Sequence, residues 1–336
     1  MAEPLLEVKN LKVHFPTEDG LVKAVDGISF SLASGETLGV VGESGSGKSV
    51  GFLTVMGLVT SKQAIIDGEV IFQGQDLLKL PQDEMRTIRG AKMGMVFQDP
   101  MSSLHPFYRV GAQIAEAVRV HQKISKKEAA DMAVDMLRRV GIPRPEERAR
   151  QYPHEYSGGM RQRAMIAMAL VLNPDLLIAD EPTTALDVTV QAQILDLIDR
   201  LREEFNAAVV IITHDLGVVA EHCDDIQVMY AGRIVETGNA RDIYYDAHHP
   251  YTWGLLQSIA RMDQETDRLR PIKGLPPSLI TVPSGCAFHP RCPYVMDVCK
   301  RERPELIPSN GHHASACHLT LAEKERIFRQ EVMQRS

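Results

Sequence analysis

The chain has 336 residues, 44% of them apolar and 24% charged, enough for about two domains and too ordinary a balance for a disordered or fibrous protein. Its 44 acidic residues against 37 basic ones give a net charge of −7, which argues against nucleic acid as main partner, because a phosphate backbone demands a basic face. The longest apolar runs, Ala164–Leu172 and Ala207–Ile212, are half or less of the roughly 20 residues a membrane-spanning helix needs.

Met1 to Lys9 has neither the basic start nor the apolar core of an export signal, so a cytosolic protein is expected. Short β-rich segments open the chain at Leu5–Val8, Val25–Leu32 and Thr37–Val41, the last running into a glycine-rich stretch. A further strand is expected at Lys92–Phe97. From Val110 to Arg139 the apolar spacing, through Ile114, Ala117, Val118, Ala133, Met136 and Leu137, is that of helix. Strand and helix then alternate: Leu176–Ala179, a helix over Val190–Phe205, Val209–Thr213, Gln227–Tyr230 and Arg233–Glu236. Buried runs separated by helices predict an α/β fold with a largely parallel sheet. Beyond Gln257 the composition shifts to Pro, Cys and His, which marks a separate extension. No repeat or low-complexity tract is visible, so one catalytic unit is expected.

The glycine-rich stretch is Gly42-Glu43-Ser44-Gly45-Ser46-Gly47-Lys48-Ser49, a P-loop pattern in the strand-then-loop context that gives such a motif meaning. Glycines let consecutive N–H groups wrap a phosphate chain, and the following helix offers about half a positive charge at its N-terminus. Lys48 is placed for the β- and γ-phosphates of ATP and Ser49 for Mg2+. Leu176 to Glu181 is an apolar strand ending in two carboxylates: Asp180 suits magnesium, and Glu181 suits a general base that polarises the attacking water. Ser157-Gly158-Gly159, at a helix start shortly before that strand, could receive a phosphate by the same helix N-terminal physics.

With Tyr156 to Arg163, Gln98 in Val96-Phe97-Gln98-Asp99-Pro100, Ala185-Leu186-Asp187, and His214 after Val209–Thr213, the set resembles a complete ABC ATPase from Leu5 to Gly238. The resemblance implies a RecA-like sheet with an antiparallel β subdomain and an inserted helical subdomain at about 100–170, in an ATP-binding domain spanning 1–257. It also implies a head-to-tail dimer. In that dimer Ser157, Gly158 and Gly159 reach the partner's ATP, Asp187 sits in the D-loop, His214 contacts the γ-phosphate, Gln98 senses magnesium and the membrane subunits, and Phe15 stacks on adenine. The segment departs from the usual signature at Tyr156 and Met160, where leucine and glutamine are common. A GTPase reading fails for want of an Asn-Lys-x-Asp segment, and a soluble DNA- or ribosome-acting relative would bring a coiled-coil insert or a second ATPase unit.

Val96–Leu104 with His105-Pro106, Tyr152–Arg163, Leu177–Gln193, Met229–Gly238 and His249-Pro250-Tyr251-Thr252 are similar to the oligopeptide and dipeptide importer ATPases. That resemblance implies a pair of related but different ATPase chains, two membrane permease subunits, an extracytoplasmic peptide-binding protein, and a place on the cytoplasmic face of the membrane. A nickel or other small-solute importer of the same family is the alternative. The extension, 258–336, carries Cys286, Cys292, Cys299 and Cys317, separated by five, six and seventeen residues. Four thiolates suit an iron–sulfur cluster or tetrahedral zinc, and free structural thiols remain open; the family resemblance points to a 4Fe-4S cluster. Cys223 reads as a small buried hydrophobe, and His312 and His313 as solvated loop residues, with a substitute-ligand role as the alternative.

Overall fold

The computed structural model describes residues 3–184, 186–258 and 272–333, with Asn310 described by its backbone alone. Ala185 of the expected D-loop, Pro271 and the first two residues lie outside the described residues. In chain order the strands are β1 (Leu6–Thr17), β2 (Gly20–Leu32), β3 (Thr37–Val41), β4 (Ile65–Phe72), β5 (Gln75–Asp76), β6 (Met93–Val96), β7 (Leu176–Asp180), β8 (Ala208–Thr213), β9 (Asp225–Tyr230), β10 (Arg233–Asn239), β11 (Ile307–Asn310) and β12 (His313–Ser315). The chain divides into two compact units: residues 1–5, 33–36 and 79–212, and residues 6–32, 37–78 and 213–336.

In the second unit β2, β1, β4 and β5 form an antiparallel sheet in that order. Leu6, Val8, Leu11 and Val13 of β1 are buried, and register shifts at Val8/Leu11 and Val13/His14 bend the long strand. The β4 strand went unread in the sequence because Asp67, Gly68 and Glu69 interrupt its apolar pattern. In the same unit β3 pairs parallel with β9, while β9–β10, β10–β12 and β12–β11 are antiparallel. The expectation of a largely parallel sheet holds at β3–β9 and is corrected at β9–β10. A two-residue link, Ala231-Gly232, joins β9 to β10 with φ of 48° and 79°, the left-handed pair of a tight hairpin turn. A link that short cannot make the crossover a parallel pair needs.

In the first unit β6, β7 and β8 are parallel, and β7 is buried along its whole length. The predicted helix Val110–Arg139 is two helices, Val110–His121 and Lys126–Arg139, broken at 122–125, where Ser125 and Glu128 form a reciprocal N-terminal cap. Ile114, Val118, Ala133 and Leu137 are fully buried between these helices and Gly158–Leu170. Among the described residues no helix is long and apolar enough to cross a membrane.

Candidate functional site

The P-loop leaves β3 and ends at helix Lys48–Val55, for which Gly47 is the cap residue at φ 101°. Side chains are excluded there by contact as well as by conformation. A Cβ on Gly47 would lie 2.1 Å from the Ala24 carbonyl oxygen, and one on Gly42 would lie 2.2 Å from that of Met229. Lys48 is buried and folds back on its own loop, donating to the Gly42 oxygen at 2.6 Å, the Glu43 oxygen at 3.0 Å and Ser46 Oγ at 3.4 Å. Ser44 and Gly45 are exposed at the loop tip, and Ser46 and Gly47 are buried beneath it.

In the first unit the strand register positions the carboxylates. Val96 of β6 stands opposite Ala179 of β7, and two residues further along each strand come Gln98 and Glu181. Gln98 Nε2 donates to Glu181 Oε2 at 3.0 Å, and Thr184 Oγ1 donates to the same oxygen at 2.8 Å. Glu181 has φ 46°, a left-handed backbone uncommon for a residue with a side chain, and its N–H is held by the Ile212 oxygen at 2.8 Å. Asp180 is buried at the strand end.

Ser157 caps helix Gly158–Leu170, its hydroxyl accepting from Met160 N at 3.3 Å, so Gly158 and Gly159 open that helix. Asp187 likewise caps helix Val188–Phe205 through Val190 N. Both cap residues are exposed. His214 is exposed between β8 and helix Leu216–His222, and Phe15 is half-buried in β1 opposite Val22. Cys223 is buried at the end of the His222 helix, as its reading required.

Cys286, Cys292, Cys299 and Cys317 line one small cavity of about 10 Å³ together with Phe288, His289 and Met296. Burial raises the Cys292 thiol to about 12 and the Cys317 thiol to about 11, and it raises Cys286 as well. Among the described residues no three cysteine sulfurs lie within 4.8 Å of one another. The turn that carries Cys286 and Cys292 is closed by Cys286 N to the Cys299 oxygen at 2.8 Å and by Arg291 N to the Phe288 oxygen at 3.0 Å.

One cluster escaped the sequence reading and corrects it. His313 is not solvated; it is 1% exposed, with Nε2 2.8 Å from Glu236 Oε1, while His312 is exposed. Glu236 also accepts from the backbone N–H groups of His248 and His249. The His248 and His313 rings stack at 4.1 Å with 14° between their planes. Two nearly parallel rings cannot aim their in-plane lone pairs at one ion, so the cluster reads as a buried polar tie. Burial, helped by His313, lowers His248 to about 4, and burial lowers His249 to about 3. No signal in sequence spacing joins positions 236, 248 and 313.

A family profile described as "ABC transporter" matches residues 25–184, and one described as "Oligopeptide/dipeptide transporter, C-terminal region" matches 235–299. The oligopeptide transport ATP-binding protein OppD of Escherichia coli K12 is 52% identical over 303 residues, covering 90% of each chain. The dipeptide transport ATP-binding protein DppD of Bacillus subtilis is 51% identical over 318 residues, covering 94% of this chain and 95% of its own. Among solved structures, a dimeric ATP-binding cassette in a post-hydrolysis state with ADP and Pi is 28% identical with a TM-score of 0.63, covering 70% of this chain and 99% of that one. The chain belongs to the ABC transporter family, among its oligopeptide and dipeptide transport ATP-binding proteins.

Proposed function

We propose that the chain hydrolyses ATP to drive uptake of oligopeptides or dipeptides through a membrane ABC importer. The observation that carries the hydrolytic part is the register-set meeting of Gln98 and Glu181 at 3.0 Å. A base held by a glutamine and a threonine at the end of a buried strand is oriented before any water arrives. In this reading Lys48 and the backbone of Gly42, Ser44, Gly45, Ser46 and Gly47 hold the phosphates. Ser49, Asp180 and Gln98 attend magnesium, Glu181 activates water, and His214 meets the γ-phosphate. Phe15 stacks on adenine. Ser157, Gly158 and Gly159 close on the ATP of a second, related chain, with Asp187 at the same interface.

The peptide part is supported by the C-terminal region matched at 235–299 and by relatives named for oligopeptides and dipeptides. It brings with it two permease subunits, an extracytoplasmic peptide-binding protein and the cytoplasmic membrane face. An ATP-binding domain over 1–257 and an extension over 258–336 complete the reading.

The four cysteines lining one cavity are a donor set suited to a 4Fe-4S cluster, with tetrahedral zinc as the other four-thiolate choice. Cys286, Cys292, Cys299 and Cys317 would hold the cluster, which when bound supplies a covalent cross-link among their segments and a one-electron couple. Anaerobically purified protein should carry iron and sulfide with a broad visible band; colourless protein free of both rejects the cluster.

The deciding experiment is ATP hydrolysis by the assembled importer with its binding protein, offered peptides, nickel or sugars, with Glu181→Gln as the inactive control. Stimulation by peptides alone is expected. Stimulation by nickel alone would overturn the substrate and leave the ATPase in place.

A further inference from the structure

The residue after the first P-loop glycine is held at every polar group it has. Glu43 Oε2 accepts from Arg291 Nη1 at 2.6 Å and Oε1 from Arg291 Nη2 at 2.9 Å, a bidentate fork. The Glu43 N–H donates to the Tyr251 hydroxyl at 2.7 Å, and its carbonyl accepts from Lys48 Nζ at 3.0 Å and Ser46 N at 3.2 Å. The Arg291 side chain is 5% exposed, its Nε donates to the Lys273 oxygen at 3.1 Å, and its guanidinium lies 5.9 Å from the ring centres of both Tyr230 and Phe288. Tyr251 itself is fully buried. Arg291 stands inside the short turn between Cys286 and Cys292, whose backbone bonds leave it little room to shift.

We propose that Arg291 is a positioning residue for nucleotide binding: it fastens the P-loop to the turn that carries two of the four cysteines, so the condition of the cysteine site sets how well the loop is shaped for phosphate. The physical reason is preorganisation. A loop that must hold several N–H groups around a phosphate chain binds weakly if it has to be ordered by the ligand, and a buried charge fork with a tyrosine tie does that ordering beforehand. The fork also settles Lys48, because the Glu43 carbonyl that Lys48 bonds belongs to the residue Arg291 grips. The cysteine site, distant in sequence from the P-loop, is one side chain away from it.

The proposal rests on the chain binding ATP, and its test separates the two claims. ATP·Mg2+ affinity is measured by titration calorimetry on the full chain, and kcat and KM on the assembled importer, for Arg291→Gln, Glu43→Gln, the double variant and Arg291→Lys. Arg291→Gln should weaken ATP binding and raise KM about tenfold, with kcat changed by less than about twofold. Glu43→Gln should do the same, and the double variant should bind no worse than either single one, because both remove the same interaction. Arg291→Lys, which keeps the charge but not the fork, should fall between. Cys292→Ala should weaken ATP binding in the parent and have no further effect on Arg291→Gln. A parent-like affinity in Arg291→Gln, additive losses in the double variant, or a fall in kcat with KM unchanged overturns the proposal while leaving the ATPase reading intact. Should either single variant fail to fold, the double variant, whose two amides can pair, decides by the same affinity criterion. A parent chain that does not bind ATP defeats both claims.

Discussion

Glu181 takes the left-handed conformation, which costs a residue with a side chain on the order of 1 kcal/mol or more, and it does so where its carboxylate meets Gln98 and Thr184. Strain at that point makes sense if the carboxylate must face an incoming water. Glu181→Gln should keep ATP affinity within about twofold and lower hydrolysis by roughly 100-fold or more, read from binding and turnover on one preparation. Undiminished turnover would remove the base assignment. Lys48→Ala should lose binding itself. The buried imidazoles make a different prediction. His248 and His249 titrate in the folded chain at about 4 and about 3, below the ordinary histidine value, so below about pH 6.5 the unfolded chain takes up protons that the folded chain refuses. Stability is full above that pH and drains as the pH falls toward 4. Urea midpoints taken between about pH 7.5 and 5 should fall, and they should fall less steeply for His248→Gln; a midpoint independent of pH over that range contradicts the burial argument.

Between elements, register does the work. The parallel pairing of β6 with β7 carries Gln98 to Glu181 with no further instruction, because both lie two residues past the opposed pair Val96 and Ala179. The helical part depends on packing. Leu137, fully buried where helix Lys126–Arg139 meets its neighbours, should cost roughly 2–5 kcal/mol when cut to alanine. The P-loop's own ties lie in the other compact unit. Thermal unfolding of Leu137→Ala should therefore begin at lower temperature, while ATP affinity below that transition stays unchanged. A parallel loss of affinity would mean that the helices shape the loop. Helix starts at Ser157 and Asp187 are capped by the residues expected to act there, so replacing either removes a cap worth about 1 kcal/mol as well as a functional group. Comparison with threonine or asparagine in their place separates the two losses.

For the whole molecule the reading requires two chains. With ATP·Mg2+ and its partner ATPase, Glu181→Gln should sediment as a lasting dimer, whereas the parent chain should return to monomers as it turns over; dimers indifferent to nucleotide would count against closure by ATP. What could be read from the chain alone was local. The P-loop, the carboxylate-ended β7 and the Ser-Gly-Gly helix start are short, contiguous patterns, because phosphate and magnesium are bound by neighbouring backbone and side-chain groups. The periodicity of 110–139 announced helix, though not the break at Ser125, which is a matter of capping chemistry. The strand at Ile65–Phe72 and the burial of His313 were not legible, since a sheet partner and a buried carboxylate come from elsewhere in the chain. By itself the sequence determined the nucleotide chemistry and the family. Only the tertiary structure decided which strands run antiparallel, that four scattered cysteines share one cavity, and that Arg291 grips Glu43 across 248 residues of chain, because those outcomes depend on long-range pairing and burial that no local pattern records.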